Sequence, residues 1–371
     1  MYFKFIAFLL LFAISQSRAT GESCKTPNNK PGKCILLREC PLLHEIVANK
    51  TEAAKEFVRQ SICGFQGLDS LVCCATSTSS NSSVNQDNKK TSNRHLFPDK
   101  RYCGYQHSDD YAHDTSNTTI TEFPWLARIA YRRKSESEDS YQKQYLCLGS
   151  LINPLYILTA AGCTNTPNFV ITEVRLGDYH IGNDTDCVSE DHIEECSDPA
   201  RDYTLSKIIA HPGYDSKTSV NNIALLRING RVSYSDYIRP VCLPFPGTKF
   251  ANIGDTLTLS GWGYKNLKHE KAVIKKRVLG RLISAENCTE AYKDYSWFKL
   301  NDSHLCTKTV ENSTELSCSG DLGAPVIFSH RLQWHQEGIV SFGESRCGDK
   351  LPDIHTKVKD FLEWIEENIE N

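Results

Sequence analysis

The segment SCSGDLGAPVI, residues 317–327, has the composition of a turn that presents a reactive side chain. Asp321 follows Gly320, Gly323 comes two residues later, and Pro325 closes the turn. Backbone N–H groups in such a turn can stabilise an oxyanion that develops during acyl transfer. The central residue is Leu322, which has no group that can attack a carbonyl carbon. The segment is therefore the frame of a nucleophile site without a nucleophile.

The elements around this turn read as short strands. Runs of β-branched or alternating apolar residues, bounded by Gly, Asn, Asp or Pro, occur at 146–152, 156–163, 222–228, 255–264 and 335–343. Helical periodicity appears at the C-terminal end, where one face carries Val358, Phe361, Leu362, Ile365 and Ile369. The pattern predicts an all-β domain closed by a C-terminal helix.

Seven segments of this region resemble, in order, the motifs of the chymotrypsin-like (peptidase S1) serine proteases. They are EFPWLARI (122–129), LCLGSLINPLYILTAAGC (146–163), NNIALLRI (221–228), RPVCLP (239–244), LSGWG (259–263), SCSGDLGAP (317–325) and GIVSFG (338–343). The six cysteines between Cys24 and Cys74, followed by a Ser-rich stretch, resemble an arthropod clip domain. The whole chain thus resembles a clip-domain serine protease homologue. The resemblance implies two six-stranded antiparallel β-barrels with the active site between them.

The resemblance also assigns the three catalytic positions, and each of them is vacant. Acyl transfer of this kind needs a hydroxyl nucleophile, an imidazole base and a carboxylate that orients the imidazole. The family's Ser, His and Asp fall at Leu322, Gly162 and Asn222. None of these residues can act as nucleophile, base or orienting carboxylate, so we expect no protease activity. An enzyme that uses other catalytic residues remains the less favoured alternative.

Further departures from the family agree with this expectation. The specificity position is Leu316 instead of an acidic residue, and Asp353 stands where the pocket wall is usually Gly. Residues 109–125 contain no basic cleavage site followed by the family's Ile-Val-Gly-Gly-like start. The family's new amino terminus pairs with the Asp of the turn, here Asp321, so the sequence leaves the partner of Asp321 open.

Composition divides the chain into four parts. Residues 1–19 predict a signal peptide, because one Lys is followed by an apolar run and then by small residues. Residues 24–74 form the clip domain, 75–102 a flexible linker and 103–371 the protease-like domain. No later apolar run is long enough to cross a membrane, and the net charge of −3 favours neither nucleic acid nor an anionic membrane as a partner. The localisation expected is secreted and extracellular, in haemolymph.

The 16 cysteines are an even number and include no Cys-x-x-Cys pair, so they favour disulfides over a metal site. Spacing alone does not select the pairing. The family resemblance implies Cys24–Cys73, Cys34–Cys63, Cys40–Cys74, Cys103–Cys242, Cys147–Cys163, Cys187–Cys196, Cys288–Cys306 and Cys318–Cys347. No metal or other cofactor is expected. The acidic loop between Cys187 and Cys196 could hold calcium, but its carboxylates are equally explained as exposed loop charge.

Sequons for N-glycosylation predict modified side chains at Asn49, Asn81, Asn117, Asn183, Asn301 and Asn312; a seventh, at Asn287, is doubtful because Cys288 is its middle residue.

Two basic features suggest contact or cleavage. The segment KNLKHEKAVIKKRVLGR, residues 265–281, could dock an acidic partner, although a solvated loop and an outer strand face explain it better. In the linker, Lys89-Lys90, Arg94 and Lys100-Arg101 are candidate sites for trypsin-like proteases, or simply solvated charges.

The function predicted is non-enzymatic regulation of an extracellular clip-protease cascade in innate immunity, around prophenoloxidase activation and melanisation. The partners implied by the resemblance are active clip-domain proteases and prophenoloxidase. Binding of pathogens, or a role in a developmental cascade, is the alternative that the same residues allow. The partner's identity, the sign of the effect and the oligomeric state do not follow from the sequence.

Overall fold

The computed structural model describes residues 21–37, 40, 43, 57–66, 69–75, 93–107, 110, 118–190, 193–263, 270, 272–295, 299–310, 321–342 and 351–371. The signal peptide predicted at 1–19 lies outside these residues. The chain divides into two compact units, Met1–Lys89 and Lys90–Asn371. Within the described residues, no helix combines the length and the apolar character that crossing a membrane requires.

The first unit contains a small antiparallel sheet with the strand order β1-β2-β4-β3. Its strands are β1 (Ser23–Lys25), β2 (Pro31–Leu36), β3 (Ile62–Gln66) and β4 (Asp69–Ala75). The cysteines form the pairs Cys24–Cys73, Cys34–Cys63 and Cys40–Cys74 that the resemblance implied. Half-cystines make up much of its buried interior, because a unit this small buries too little apolar surface to be stable without cross-links.

The second unit contains two closed six-stranded barrels, which confirms the predicted all-β chymotrypsin-like fold. The first barrel has the order β11-β12-β7-β6-β5-β8. Its strands are β5 (Leu126–Arg133), β6 (Gln144–Asn153), β7 (Tyr156–Thr159), β8 (Phe169–Leu176), β11 (Arg201–Ala210) and β12 (Ala224–Ile228), and the hairpin of β9 (Cys187–Glu190) and β10 (Ile193–Cys196) lies outside it. Strands β7 and β12 are almost entirely buried, which explains why their apolar runs are continuous instead of alternating.

The second barrel has the order β13-β14-β15-β18-β17-β16. Its strands are β13 (Thr256–Gly261), β14 (Lys276–Ile283), β15 (His304–Thr309), β16 (Pro325–His330), β17 (Gln333–Phe342) and β18 (Asp353–Lys357). Two short helices accompany the barrels, α1 (Ala161–Thr164) after β7 and α2 (Ala285–Ala291) after β14. Closure of both sheets removes the exposed strand edges that could pair with other chains.

The predicted C-terminal helix is present in two parts, a 3-10 turn at Val358–Phe361 and α3 at Leu362–Asn368. The predicted apolar face is confirmed, because Val358, Phe361, Ile365 and Ile369 are buried and Leu362 packs beside them. These side chains join the core of the first barrel.

The end of the predicted linker differs from the expectation for 75–102. Asn93–Leu96 forms a 3-10 turn, and Leu96 and Phe97 pack against the core of the first barrel. Asn93 Nδ2 donates a hydrogen bond of 2.8 Å to the carbonyl of Ile369. The Ser- and Asn-rich composition stops before Leu96, and the two apolar side chains bring 93–102 onto the second unit.

The second unit contains four of the implied disulfides. They are Cys103–Cys242, Cys147–Cys163, Cys187–Cys196 and Cys288–Cys306. No cysteine among the described residues is free. The remaining implied pair, Cys318–Cys347, lies outside the described residues.

Candidate functional site

The three vacant triad positions lie together between the two barrels. Gly162 is in α1, Asn222 precedes β12 and Leu322 precedes β16. A Cβ atom built on Gly162 would lie 3.6 Å from Asn222 Oδ1 and 3.8 Å from Leu322 Cδ2. The fold therefore assembles the site geometry although the residues at it are Gly, Asn and Leu.

Asn222 is 2% exposed and its amide has neutral partners. Its Oδ1 accepts a 2.8 Å hydrogen bond from the Gly162 N–H, and its Nδ2 donates one of 2.8 Å to Ser341 Oγ. Its carbonyl also accepts a 2.8 Å hydrogen bond from Thr356 Oγ1. An aspartate could accept from Gly162 but could not donate to Ser341, and it would bury a charge. The amide thus links the barrels without a charge.

Leu322 is half-buried and packs against the core of the first barrel. Its carbonyl accepts a 2.8 Å hydrogen bond from the Leu148 N–H, and the next N–H, of Gly323, donates one of 2.9 Å to Val340. Gly323 has φ 84°, and a Cβ there would overlap the Leu148 carbonyl and Thr159 Oγ1. The turn is consequently held on both sides while its side chain offers only apolar surface.

Tyr214 completes this face and was missed by the sequence analysis. Its hydroxyl lies 3.1 Å from the Cβ position of Gly162, so it takes space that a side chain at 162 would need. Burial raises the pKa of the Tyr214 hydroxyl above its usual value, so the group is neutral at physiological pH. No motif in HPGYD marks this tyrosine, because only the tertiary fold brings it to α1.

Asp321 provides the one carboxylate at the turn. Its carboxyl group fits against the backbone of Gly261 and Gly263, where a Cβ on either glycine would overlap it. Burial raises the pKa of Asp321, while the Lys276 ammonium and the N–H groups of Gly263 and Trp262 act in the opposite direction. The partner of Asp321 was left open by the sequence. In the structure, two backbone N–H groups and the positive charge of Lys276 act on its carboxylate.

Within the described part of the basic run at 265–281, residues 275–277 are neither the solvated surface that the sequence favoured nor the external docking surface that it allowed. Lys275 and Lys276 are 3% and 2% exposed, and Arg277 Nη1 lies 3.5 Å from Oε1 of the buried Glu122. Burial lowers the pKa of Lys275 to about 8. Arg281 alone among the described cations of the run is classed as exposed; Lys265, Lys268 and Lys271 lie outside the described residues. Internal carboxylates compensate these cations, which a run of charges in a sequence does not reveal.

The remaining candidate residues have other side-chain surroundings or lie outside the described residues. Asp353 begins β18 opposite Thr307 and is half-buried, whereas Leu316 is outside the described residues. His355 is fully buried, bonded to Thr307 Oγ1 at 2.8 Å, and burial lowers its pKa to about 3. His211 packs on Phe361 and Trp364.

In the described part of the acidic loop, Cys187, Glu194 and Cys196 lie close enough together to be possible metal ligands, but both sulfurs are joined in a disulfide. That leaves a single carboxylate. Calcium binding stays a prediction.

Three of the sequon asparagines lie among the described residues. Asn183 is exposed, and its Nδ2 contacts Asp186 Oδ1 at 3.1 Å. Asn301 is half-buried and accepts a 2.9 Å hydrogen bond from Ser303 Oγ within the same sequon. The doubtful Asn287 is exposed in α2, and Asn49, Asn81, Asn117 and Asn312 lie outside the described residues. Glycosylation stays a prediction.

Comparison with known proteins identifies both units. Residues 113–365 match the trypsin family, and residues 24–74 match the regulatory CLIP domain of proteinases. Phenoloxidase-activating factor 1 of Holotrichia diomphalia is 33% identical, covering 100% of this chain and 99% of its own. Melanization protease 1 of Drosophila melanogaster is 31% identical, covering 99% and 98% of the two chains.

A solved structure has the same fold. The crystal structure of the Drosophila Grass clip serine protease of the Toll pathway superposes with a TM-score of 0.61 at 24% identity, covering 94% of this chain and 97% of that one. Together with the two barrels and the cystine-linked first unit, these matches show that the chain belongs to the clip-domain serine proteases of the trypsin family.

Proposed function

We propose that this protein is a catalytically inactive clip-domain serine protease homologue that regulates a phenoloxidase-activating protease cascade by binding. The observation that carries the proposal is the face formed by Gly162, Tyr214, Asn222 and Leu322, which we call the docking face. Gly162, Asn222 and Leu322 stand at the positions of the family's base, orienting carboxylate and nucleophile, and none of these three side chains can act as one. We expect its partners to be an active clip-domain protease or prophenoloxidase in haemolymph.

The relatives support the cascade part of the proposal. One is named for activating phenoloxidase and another for melanization, and both align with this chain over almost its entire length. The polar groups of the docking face support the non-enzymatic part. Asn222 is bonded to Gly162 and Ser341 without a titratable group, so position 222 provides no carboxylate that could orient a catalytic base.

The first test is phenoloxidase activity in cell-free arthropod plasma, with and without the purified protein. We expect a reproducible rise or fall, which gives the sign of regulation. The variant Leu322→Ala should reduce the effect, whereas Ile253→Ala, which removes a similar aliphatic side chain at a 70% exposed position outside the docking face, should not. No change in plasma, at concentrations well above the natural one, would contradict the regulatory role.

The absence of catalysis is tested separately with a serine-directed fluorophosphonate and a panel of peptide substrates. Neither labelling nor turnover above a heat-denatured control is expected, because Leu322 offers no oxygen for the phosphonate. Labelling of the intact protein at any residue, with hydrolysis that the label abolishes, would show an unrecognised nucleophile.

A second candidate function, binding of microbial surfaces, is favoured by a groove of about 650 Å³ on the second unit. It is lined by Tyr102, Tyr105, Tyr234 and Tyr237 together with two arginines. Exposed tyrosines combine an apolar ring with a polar hydroxyl and are common at recognition surfaces. Sedimentation with intact bacteria or yeast, weakened by Tyr102→Ala and Tyr234→Ala, would move the preferred function to recognition.

A further inference from the structure

We propose that Lys276 is the positioning residue of the docking face. In the uncut chain, the positive charge of Lys276 holds the Asp321 carboxylate in its site. The turn that carries Leu322 is thereby held in place. The inference rests on the proposed function in one respect only, namely that the seated turn is part of the surface that partners contact. Lys276, one cation of the basic run, thereby acquires an internal role.

The first step of the argument is the register of β13 and β14. Gly261 and Lys276 are directly opposite each other in this antiparallel pair. Opposite residues point to the same face of a sheet, with Cβ positions about 5 Å apart. A Cβ on Gly261 would overlap Asp321 Oδ1, so the Asp321 carboxyl occupies the space of the missing side chain. Gly261 thus leaves room for the Asp321 carboxyl group, which belongs to another loop. This group lies on the strand face of Lys276, which is 2% exposed.

The second step is the alternation of side chains at the start of β14. Successive residues of a strand point to opposite faces, so Lys276 and Arg277 are directed to different sides. Arg277 faces Glu122, which is fully buried. Thr118 Oγ1 donates a 2.7 Å hydrogen bond to the carbonyl of Lys275. The basic run therefore ties segment 118–122 on one face and leaves Lys276 to act on the Asp321 turn on the other.

The third step connects Asp321 to Leu322. The Asp321 carbonyl accepts a 2.9 Å hydrogen bond from the Ala324 N–H, which closes the turn around Leu322 and Gly323. The turn is then joined to the first barrel through the Leu148 N–H and to β17 through the Val340 carbonyl. Burial raises the pKa of Asp321, and the Lys276 charge opposes that rise and so favours the ionised carboxylate. A neutral residue at 276 would leave that carboxylate buried without this charge, and the turn would relax toward solvent.

The consequence is that the docking face is complete in the uncut chain. The counter-charge belongs to β14, so seating the turn needs no charged group created by cleavage. Cutting within the linker would change access to the face or the freedom of the clip unit, without rebuilding the turn.

The experiment is amide hydrogen exchange on the full-length protein, resolved at the Leu148 and Gly323 N–H groups, with the amides of β12 as internal reference. In Lys276→Met we expect the two reporter amides to exchange at least ~100-fold faster, because removing one member of a buried charged set is costly, while β12 changes little. Lys276→Arg should stay within about 10-fold of the natural protein, because it restores the charge. Arg281→Met, which removes an exposed cation from the same strand, should have no effect.

The double variant Lys276→Met/Asp321→Asn makes the test specific to the two charges. We expect it to recover most of the protection lost in Lys276→Met, because both buried charges are then absent. It also keeps the test decisive if Lys276→Met alone is too unstable to purify. Equal acceleration in β12 and in the reporter amides would reduce Lys276 to a general stabilising residue, and purely additive effects of the two substitutions would show that Lys276 does not act on Asp321. Either result overturns the proposal.

The outcome is separable from that of the proposed function. Exchange rates report the seating of the turn without any cascade component. If the natural protein alters phenoloxidase activity but its reporter amides do not respond to Lys276→Met, the positioning role is wrong and the regulatory function stands. If the amides respond while plasma shows no effect, the regulatory function is wrong and the positioning role of Lys276 stands.

Discussion

The docking face and the start of β14 lie in the same domain, but they differ in buried charge. The docking face carries uncharged side chains, whereas the start of β14 carries buried basic ones. At the docking face the titratable side chains of an active protease are replaced by Gly162, Asn222 and Leu322. At the start of β14, basic side chains lie inside the protein: Lys275 and Lys276 are 3% and 2% exposed, and the Arg277 side chain is 15% exposed.

The difference follows from where the opposite charge comes from. A carboxylate at 222 would have neither an imidazole nor another cation from the described residues bonded to it, and an isolated buried carboxylate is strongly disfavoured. Lys276 and Arg277 have Asp321 and Glu122 nearby. In the proposed inactive protein, the charges of the catalytic site have no remaining role, whereas Lys276 and Arg277 still have carboxylates to balance them.

Asn222→Asp places a charge in the uncharged docking face and should have the largest effect. We expect a loss of about 2–4 kcal/mol in the free energy of unfolding at pH 7, since the new carboxylate is buried without a cation. Burial raises the folded-state pKa of such a group above the unfolded value near 4, so the loss is absent at lower pH and grows as pH rises through this range. Urea unfolding at pH 3.5 and pH 7 measures both.

The neighbouring change Asn221→Asp is the matched control. Asn221 Nδ2 donates to the Gly213 carbonyl in a solvent-exposed hydrogen bond, which a carboxylate cannot make, but the added charge keeps its hydration. We expect a loss of about 1 kcal/mol or less, from the hydrogen bond alone. Equal effects at 221 and 222 would contradict the view that burial at the docking face selects a neutral side chain.

Gly162→His sharpens the comparison by returning a large side chain to the vacant base position. The Tyr214 hydroxyl lies 3.1 Å from the Cβ site, so the imidazole must displace it, at a cost of about 1–3 kcal/mol. Tyr214→Ala in the same chain should recover part of this loss, although Tyr214→Ala alone is destabilising. Thermal unfolding of the two single variants and the double variant measures the coupling; additive losses would mean that Tyr214 does not fill the site.

Glu337 is intermediate between the uncharged docking face and the paired charges of β14. It is a buried carboxyl group whose pKa the nearby cation does not bring back to the usual value. The residue is 5% exposed, and burial raises the pKa of its carboxyl to about 7, although Lys359 lowers it in part. The unfolded chain releases this proton at lower pH, so the folded state loses stability between about pH 4.5 and 7, by up to about 3 kcal/mol. Glu337→Gln should flatten that portion of the stability profile, whereas the exposed Glu363→Gln should leave it unchanged.

Limited trypsin digestion tests whether the packed end of the linker resists cleavage. It is expected to give the smallest effect and to leave the stability of the second unit unaltered. Arg94 lies over the Phe245 ring at 4.1 Å, and the Asp99–Tyr102 turn is closed by a 2.8 Å hydrogen bond from the Tyr102 N–H to the Asp99 carbonyl. Cleavage after either Arg94 or Arg101 therefore needs local opening. We expect the first cut at Lys89-Lys90, at least ~10-fold faster, as read by mass spectrometry of early fragments. An initial cut after Arg101 would show that the packed turn gives no protection.

The sequence was sufficient for the fold because its signals are local or depend on residue type. Alternating apolar runs predicted the strands around the turn, and the spacing of Val358, Phe361 and Ile365 predicted the C-terminal face. The family motifs placed Gly162, Asn222 and Leu322 at one site, and the structure brings them together. Residue type alone shows that these three positions lack the groups needed for acyl transfer.

Only the tertiary structure decided which charges are internal and what fills the vacant site. Lys276 and Arg281 are the same kind of residue in a sequence, but one is 2% exposed and the other lies at the exposed end of β14. Tyr214 reaches the docking face from a loop that no motif marks. Burial and counter-charge are properties of neighbours distant in the chain, so local composition determined the elements and their order, while packing determined the electrostatics.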